Sequence, residues 1–338
     1  MHVDLPVLPT GYQPARATES DIPAMLALLR SYEEGVTGST SWTEGEVAEP
    51  FTTEKGRRDT AVVLAKDADR IAGYFQAHRD SAERWYGDAT VALGLEETGR
   101  AALCGAGLSW VEQTALANAD GADPVRMTHW CWAEDDAFAR SLAGLGYEPV
   151  RAFIEMHLDL ADRAPQSPNP EVAIRQADLT DLHGADARTV YEMISESFRD
   201  HYDYKERTFE QFMQRRTDGA NADLDGWFIA EIDGRPAGAT IHSNGYLADH
   251  NANYIDNLGT VRWARGKGVA KAMLEHSFQR AQRQGRAAVK LHVDAESPTG
   301  ATTLYESVGM RRNKVGQEWQ KFLHHSPDAV RATPLSGD

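Results

Sequence analysis

Cysteine is almost missing from this chain. Cys104 and Cys131 are the only two in 338 residues, and no Cys-x-x-Cys pair occurs. That excludes a disulfide framework and a cysteine-based zinc ribbon. It suits a reducing cytoplasm, where the protein is expected to reside. Long apolar runs are lacking too. No stretch approaches the roughly 20 residues needed to span a bilayer, so no membrane partner is expected. The opening "MHVDLPVLPTGYQPARA" has no basic segment followed by an apolar run, so no secretory signal is expected. Positive charge is the minority sign: 35 Lys and Arg stand against 51 Asp and Glu, a formal net charge of −16. A nucleic-acid partner wants the opposite balance. The histidines show no ligand spacing, and His324-His325 is a tail pair, so no metal site is expected.

What remains is an ordinary globular composition, 41% apolar and 25% charged, of a length for two domains. Two stretches open alike. "YQPARATESDIPAMLALLRSYEE" and "EVAIRQADLTDLHGADARTVYEMISESF" each run from a short strand through a polar turn into an amphipathic helix, with Arg175 standing where Arg16 stands. Between them, "ADRAPQSPNP" (161–170) has the proline content of a linker. The halves close alike as well. "HWCWAEDDAFARSLAGLGY" from His129 aligns without a gap on "HVDAESPTGATTLYESVGM" from His292. The same register lays "CGAGLSWVEQTA" on "KGVAKAMLEHSF". An internal duplication accounts for this. The expected division is a first domain at 1–160, the linker, a second domain at 171–323 and a disordered tail at 324–338.

The second half is readable in more detail. "GWFIAEID" (226–233), turned by "GRP" (234–236), and "AGATIHSN" (237–244) form a hairpin. "NYIDNLGTV" (253–261) is a third strand, residues 268–284 a helix, "AAVKLHVD" (287–294) a strand, and "TGATTLYESVG" a short helix ended by Gly309. Strand, helix and strand in succession imply a parallel pair. The fold class is mixed α/β, an antiparallel meander entering a splayed parallel pair flanked by helices.

The turn "ARGKGVAK" carries chemistry. Gly266 and Gly268 let the backbone turn tightly and let a ligand approach it. The helix behind them begins with unpaired N–H groups and a positive dipole, and Arg265 and Lys267 add charge. Neither the P-loop nor the dinucleotide fingerprint fits these residues. The spacing Arg-x-x-Gly-x-Ala resembles motif A of the GCN5-related N-acetyltransferases (GNATs), whose turn holds the pyrophosphate of acetyl-coenzyme A. Two further stretches extend the resemblance over nearly the whole second half. "NLGT" (257–260) stands where the family's strand splays and binds pantetheine, which assigns contacts to Leu258, Gly259 and Thr260. "LHVDAESPTGATTLYESVGM" resembles the closing segment through Leu304, Tyr305 and Gly309, with Ser297 in place of the usual Asn and Met310 in place of Phe. The resemblance implies acetyl-CoA as co-substrate, held by Leu258, Gly259, Thr260, Arg265, Gly266, Lys267, Gly268, Val269, Ala270 and Ser297.

It also implies roles. Tyr305 stands where the family's acid protonates the leaving thiolate. Asp256 adjoins the thioester strand and is a candidate base, or an exposed strand-end charge. "ESFRDHYDY" (196–204) stands where the family's acceptor loop lies, which makes His201 a second candidate and sets Glu196, Asp200, Tyr202 and Asp203 beside it. His242 is a third. In the first half Ala102, Leu103 and Cys104 replace Arg265, Gly266 and Lys267, and Leu142 replaces Tyr305. That half is expected to be catalytically silent, with a turn still formed by Gly105-Ala-Gly107. The arrangement is similar to the tandem actinobacterial acetyltransferases of the mycothiol synthase kind. The expected activity is direct transfer of an acetyl group to the primary amine of a small molecule, by a monomer or homodimer. A non-catalytic acyl-CoA sensor and a protein N-acetyltransferase are the alternatives.

Overall fold

The computed structural model describes residues 4–68, 70–161, 163–164, 166, 169–199, 201, 204–217, 221–297 and 300–325. The division drawn from the sequence falls at the 161–170 linker. Compact packing instead divides the chain into residues up to Ala152 together with those from Val315, and Phe153–Lys314. The reason lies in the last strands, described below. Much of the linker, and the tail from 326 on, lie outside the described residues.

The first unit contains β1 (Gln13–Arg16), α1 (Ile22–Thr37), α2 (Glu44–Thr52), α3 (Glu54–Asp59), β2 (Thr60–Asp67), β3 (Arg70–Ser81), β4 (Arg84–Val91), α4 (Glu97–Ala117), β5 (Val125–Trp132) and α5 (Asp136–Gly144). Strand β6 (Glu148–Asp159) leaves it. The second unit contains β7 (Ala173–Gln176), α6 (Ala185–Phe198), α7 (Phe209–Thr217), β8 (Ala222–Ile232), β9 (Arg235–Ser243), α8 (Leu247–His250), β10 (Ala252–Thr260), α9 (Val269–Arg283), β11 (Ala288–Asp294) and α10 (Ala301–Ser307). Strand β12 (Arg311–Leu323) returns to the first unit.

In the second unit the sheet order is β6-β11-β10-β9-β8-β7. Residues Phe153–Asp159 of β6 run antiparallel to β11, β11 pairs β10 in parallel, and β10, β9, β8 and β7 form an antiparallel meander. In the first unit the order β1-β2-β3-β4-β5-β12 repeats the plan, with β4 and β5 parallel and Gly316–Leu323 of β12 antiparallel to β5. Each sheet is thus completed by a strand from the other half of the sequence. Apart from an extra helix or two per half, the element order is the same in both halves.

Alternation along β8 and β9 explains how the second sheet takes helices on both faces. Trp227, Ile229, Ala239 and Ile241 pack against Val190 and Ile194 of α6 and Phe212 of α7. Ala230 and Ala237 pack against Val269, Ala272 and Met273 of α9. The hairpin turn is Asp233-Gly234, one residue earlier than the sequence suggests. Both have positive φ, 52° and 74°, and Ile232 pairs with Arg235 across them. A two-residue turn of this hand matches the strand twist, and Asp-Gly supplies it.

One expectation fails. Gly105 and Gly107 form no turn; both lie inside α4, which runs unbroken from Glu97 to Ala117. Without Gly266 and Arg265 counterparts, Ala102 and Leu103 simply continue the helix. Gly107 has another reason to be glycine. A Cβ there would lie 2.2 Å from the Phe75 ring, so α4 presses on β3 at that point.

Candidate active site

The site is built where β10 leaves β11. The two strands pair only through Ala252↔Ala288, Asn253↔Val289 and Tyr254↔Lys290. Beyond Tyr254, β10 stays on β9 while β11 stays on β6. A bulge at Asp256, between the pairs Ile255↔His242 and Asn257↔Ile241, turns β10 at the point of parting. Leu258, Gly259 and Thr260 keep their ladder to Thr240, Ala239 and Gly238 on one edge and have no β11 partner on the other. An extended chain could add itself to such an edge. Gly259 carries no side chain because α6 crosses there, and a Cβ would lie 2.7 Å from Ser197 Cβ. The Thr260 hydroxyl is buried without a hydrogen-bond partner among the described residues.

From Thr260 the chain enters a single 3-10 turn, Arg262–Ala264, and then the glycine turn. The Val261 N–H donates to Ala237 O (3.1 Å), and the Arg262 N–H donates to Glu196 Oε1 (3.2 Å). Glu196 therefore ties α6 to this exit. Gly266 and Gly268 both adopt left-handed backbone, φ 75° and 76°, and α9 begins directly at Val269. Val269 anchors the first turn in the core, while Arg265, Gly266, Lys267 and Gly268 are exposed and Ala270 is half-buried. Arg265 folds back, its Nε donating to Thr260 O (3.5 Å). Lys267 lies over the Trp263 ring, 4.9 Å from its centroid, which Arg235 also covers. Gly268, the N-cap of α9, has no side chain to cap it, and no side-chain cap hydrogen bond is made among the described residues. The result is a helix N-terminus with positive dipole, bare glycine backbone and two cations beside it.

Asp256 is open to solvent. The protein crowded around its other sides still pushes its carboxyl up to about 6, against the pull of Arg216, a Ser243 hydrogen bond and Arg215. Arg216 itself is held in place by Asn257 Oδ1 (2.8 Å) and by the Phe212 ring. Tyr305 lies on α10, only 8% exposed, and burial pushes its hydroxyl up to about 12. Ser297 closes the turn after β11, its N–H donating to Asp294 O (3.1 Å). His201 follows α6 with its ring against Phe198; Asp200, Tyr202 and Asp203 lie outside the described residues. His242 is a core residue. It is 1% exposed, hydrogen-bonded to Ser277 (2.9 Å) and to Arg280 (3.2 Å), whose guanidinium pairs with Asp223. Burial, with Arg280 and His276 beside it, pushes its pKa down to about 3.

Sequence reasoning overlooked one group at the same place. Tyr254 OH and His292 Nδ1 are 2.9 Å apart. Glu155, paired with His292 across β6 and β11, is buried and bonded to Lys290 (3.3 Å) and Asn313 (2.7 Å). The alternation Lys290-x-His292-x-Asp294 signals that these three share one face of a strand. Nothing in the sequence signals Glu155, which comes from the other half. Among the described residues no group of three or more His, Cys, Asp or Glu could hold a metal ion, and no helix is long and apolar enough to cross a membrane.

Residues 187–310, which contain the splay, the glycine turn and α10, match the acetyltransferase (GNAT) family. The chain thus carries a GNAT domain. Among curated relatives, the mycothiol acetyltransferase of Acidothermus cellulolyticus is 28% identical over 259 residues, 72% of this chain and 74% of that protein. The mycothiol acetyltransferase of Frankia alni is 26% identical over 203 residues, 57% of this chain and 60% of that protein. The chain therefore spans only about three-fifths of the Frankia protein's length. Two solved structures share the fold along nearly the whole chain. A GCN5-related N-acetyltransferase from Sphaerobacter thermophilus has a TM-score of 0.76 at 23% identity, covering 95% of this chain and 98% of that one. A tandem GNAT protein from the clavulanic acid biosynthesis pathway has a TM-score of 0.69 at 15% identity, covering 93% and 99%. The domain is that of an acetyl-CoA-dependent N-acetyltransferase, and acetyl-CoA is the family's acyl donor.

Proposed function

We propose that the second half is the catalytic one and that it transfers acetyl from acetyl-CoA directly to the amine of a small molecule. The single observation behind this is the pairing of an open β10 edge with an uncapped, glycine-led α9 in that half alone. In the first half α4 runs straight through the corresponding residues, so no left-handed glycine turn exists to hold a diphosphate. Its proposed role is structural. The mycothiol acetyltransferases it is similar to suggest a small amine as acceptor, and the negative net charge suits one that is cationic.

The residues divide the work as follows. The carrier's diphosphate lies on the Gly266–Ala270 backbone with Arg265 and Lys267 beside it, and Ser297 contributes a hydroxyl farther along. The pantetheine arm adds to the Leu258–Thr260 edge, whose N–H groups polarise the thioester carbonyl. Asp256 attracts the ammonium and accepts its first proton once ionised above about pH 6. The neutral nitrogen attacks the carbonyl carbon, the C–S bond breaks, and Tyr305 protonates the departing thiolate. A phenol pushed up to about 12 gives its proton less readily than free tyrosine, so Tyr305 acts as donor only while the thiolate's charge is forming beside it. The test is thiol release with a panel of small amines, amino acids, amino sugars and peptides. Release with small amines and not peptides is expected. Acetyl-CoA binding with no release from any amine would instead support a sensor, and release from peptides alone a protein acetyltransferase.

A further inference from the structure

The amine must lose a second proton after it attacks, and neither Asp256 nor Tyr305 is free to take it. Asp256 already holds the first, and Tyr305 serves the sulfur. The group overlooked by the sequence lies on the same stretch of β10. Tyr254 is the last β10 residue paired with β11, two positions before Asp256. His292 is the next same-face residue of β11 after Lys290, so it stands at the mouth of the splay, at the level of Asp256. Its Nδ1 is 2.9 Å from Tyr254 OH, and its Nε2 is 4.0 Å from Glu155 Oε2, an oxygen with no hydrogen-bond partner among the described residues.

We propose that Tyr254, His292 and Glu155 form a proton relay for the acceptor nitrogen. The inference rests on the acetyl-transfer reading above. Tyr254 is the catalytic member, and His292 and Glu155 act through it. After attack, the positively charged nitrogen of the tetrahedral adduct gives a proton to the Tyr254 oxygen while the Tyr254 hydroxyl proton passes to His292 Nδ1. Imidazole becomes imidazolium, with Nε2–H facing the Glu155 carboxylate. The tyrosine ends neutral, the adduct loses one charge, and solvent later takes the proton from His292. Among the described residues, the charged and titratable groups around His292 include Tyr254 on β10, Glu155 on β6, and Lys290 and Asp294 on its own strand; Tyr246 packs on the Tyr254 ring and under Lys290, and Asn313 and Lys314 bear on Glu155 from the start of β12. Burial favours a protonated Glu155, yet Lys290, Asn313, His292 and Lys314 together hold it below the ordinary carboxylate value, so it is anionic.

The first unit supplies the contrast. Its aligned histidine, His129, is zipped into the ladder opposite Gly87, with Trp319 across β12. The pair Trp85↔Met127 stands where Tyr254↔Lys290 stands in the second unit. His129 is 1% exposed, and burial pushes it down to about 3, a neutral core residue. The polar trio thus belongs only to the unit with the glycine turn, and there the ladder stops early enough to leave His292 27% exposed.

The test is steady-state kinetics with the best amine of the panel, together with His292 titration by nitrogen NMR of histidine-labelled protein. Tyr254→Phe and His292→Gln are expected to lower kcat about 10²- to 10⁴-fold with KM within a few-fold. Glu155→Gln removes the carboxylate that favours imidazolium, so the acid limb of kcat and the His292 NMR titration both move to lower pH, by about one unit. A merely structural role would lower melting temperature and shift the His292 titration while leaving the acid limb of kcat in place. Because Glu155→Gln strands buried Lys290, Tyr254→Phe provides a second measure: the His292 nitrogen shifts must report a changed tautomer balance. Wild-type kcat in His292→Gln, or a His292 titration indifferent to both partners, overturns the relay. Wild-type protein that releases no thiol with any amine overturns the acetyl-transfer reading instead, and the NMR arm still judges the His292–Glu155 coupling.

Discussion

Gly266→Ala isolates the conformational demand of the proposed diphosphate turn. A Cβ at Gly266 meets nothing within 4 Å among the described residues, so the substitution adds no clash with them. What it adds is the penalty for an L-residue at φ 75°, about 1–2 kcal/mol. That strain must surface in one of two ways. If the turn keeps its shape, the free protein is destabilised by the full amount and affinity is nearly unchanged. If the turn relaxes to negative φ, the free protein keeps its stability, and acetyl-CoA must restore the strained form on binding. The dissociation constant then rises about 5- to 30-fold. The turn is exposed and makes few core contacts, so relaxation is the expected outcome. Isothermal titration with acetyl-CoA and with dephospho-CoA, alongside urea unfolding of the free protein, reads both quantities. Gly268→Ala carries the same penalty plus a contact of 3.0 Å with the Asn169 side chain, so its combined effect is at least as large. If neither substitution changes affinity or stability, the diphosphate lies elsewhere and the reasoning is refuted.

Other outcomes follow from the same structure. Asp256→Asn should remove the Asp256 step near pH 6 from the acid limb of kcat/KM, where the wild-type rate falls as the carboxylate takes up its proton, and leave only the step that belongs to His292; an unchanged profile removes Asp256 as base. Tyr305→Phe should lower kcat by at least tenfold with acetyl-CoA affinity unchanged, since the ring stays buried and only the hydroxyl is lost. Gly107→Ala should destabilise the protein by about 1–3 kcal/mol through its clash with Phe75. Gly105→Ala, in open space on the same helix, should stabilise it by about 0.5–1 kcal/mol. Acid should weaken the fold through His242. Its folded pKa of about 3 lies below the unfolded value near 6.5, so the unfolded chain binds the extra proton in that window and stability falls as pH drops. From pH 6.5 to 5 the loss is about 2 kcal/mol, read by urea unfolding and absent in His242→Gln.

The sequence carried the local features of the second half well. Alternation identified β8, β9 and β11 to within a few residues, and the glycines marked the start of α9, because these signals depend on neighbours along the chain. The shared plan of the two halves was legible for the same reason. The failures depended on distant residues. Gly105 and Gly107 resemble a turn until Phe75 is placed under α4, where glycine serves close packing. His242 looks titratable until Ser277 and Arg280 enclose it. Residues 311–323 went unread as a strand, since their partner β5 lies in the other half. Glu155 could not be linked to His292 without knowing that β6 crosses over.

That crossing constrains how the protein can be dissected. A cut anywhere in 161–170 would leave the leading fragment without β12 and the trailing fragment without β6, each with a bare sheet border where the missing partner belongs. Neither fragment is a fair stand-in for its lobe. Truncation, the usual route to assigning labour between duplicated parts, would report collapse of the scaffold. Side-chain replacements in the intact polypeptide, or a rearranged gene that restores both crossing ribbons to their own sheets, are the informative instruments.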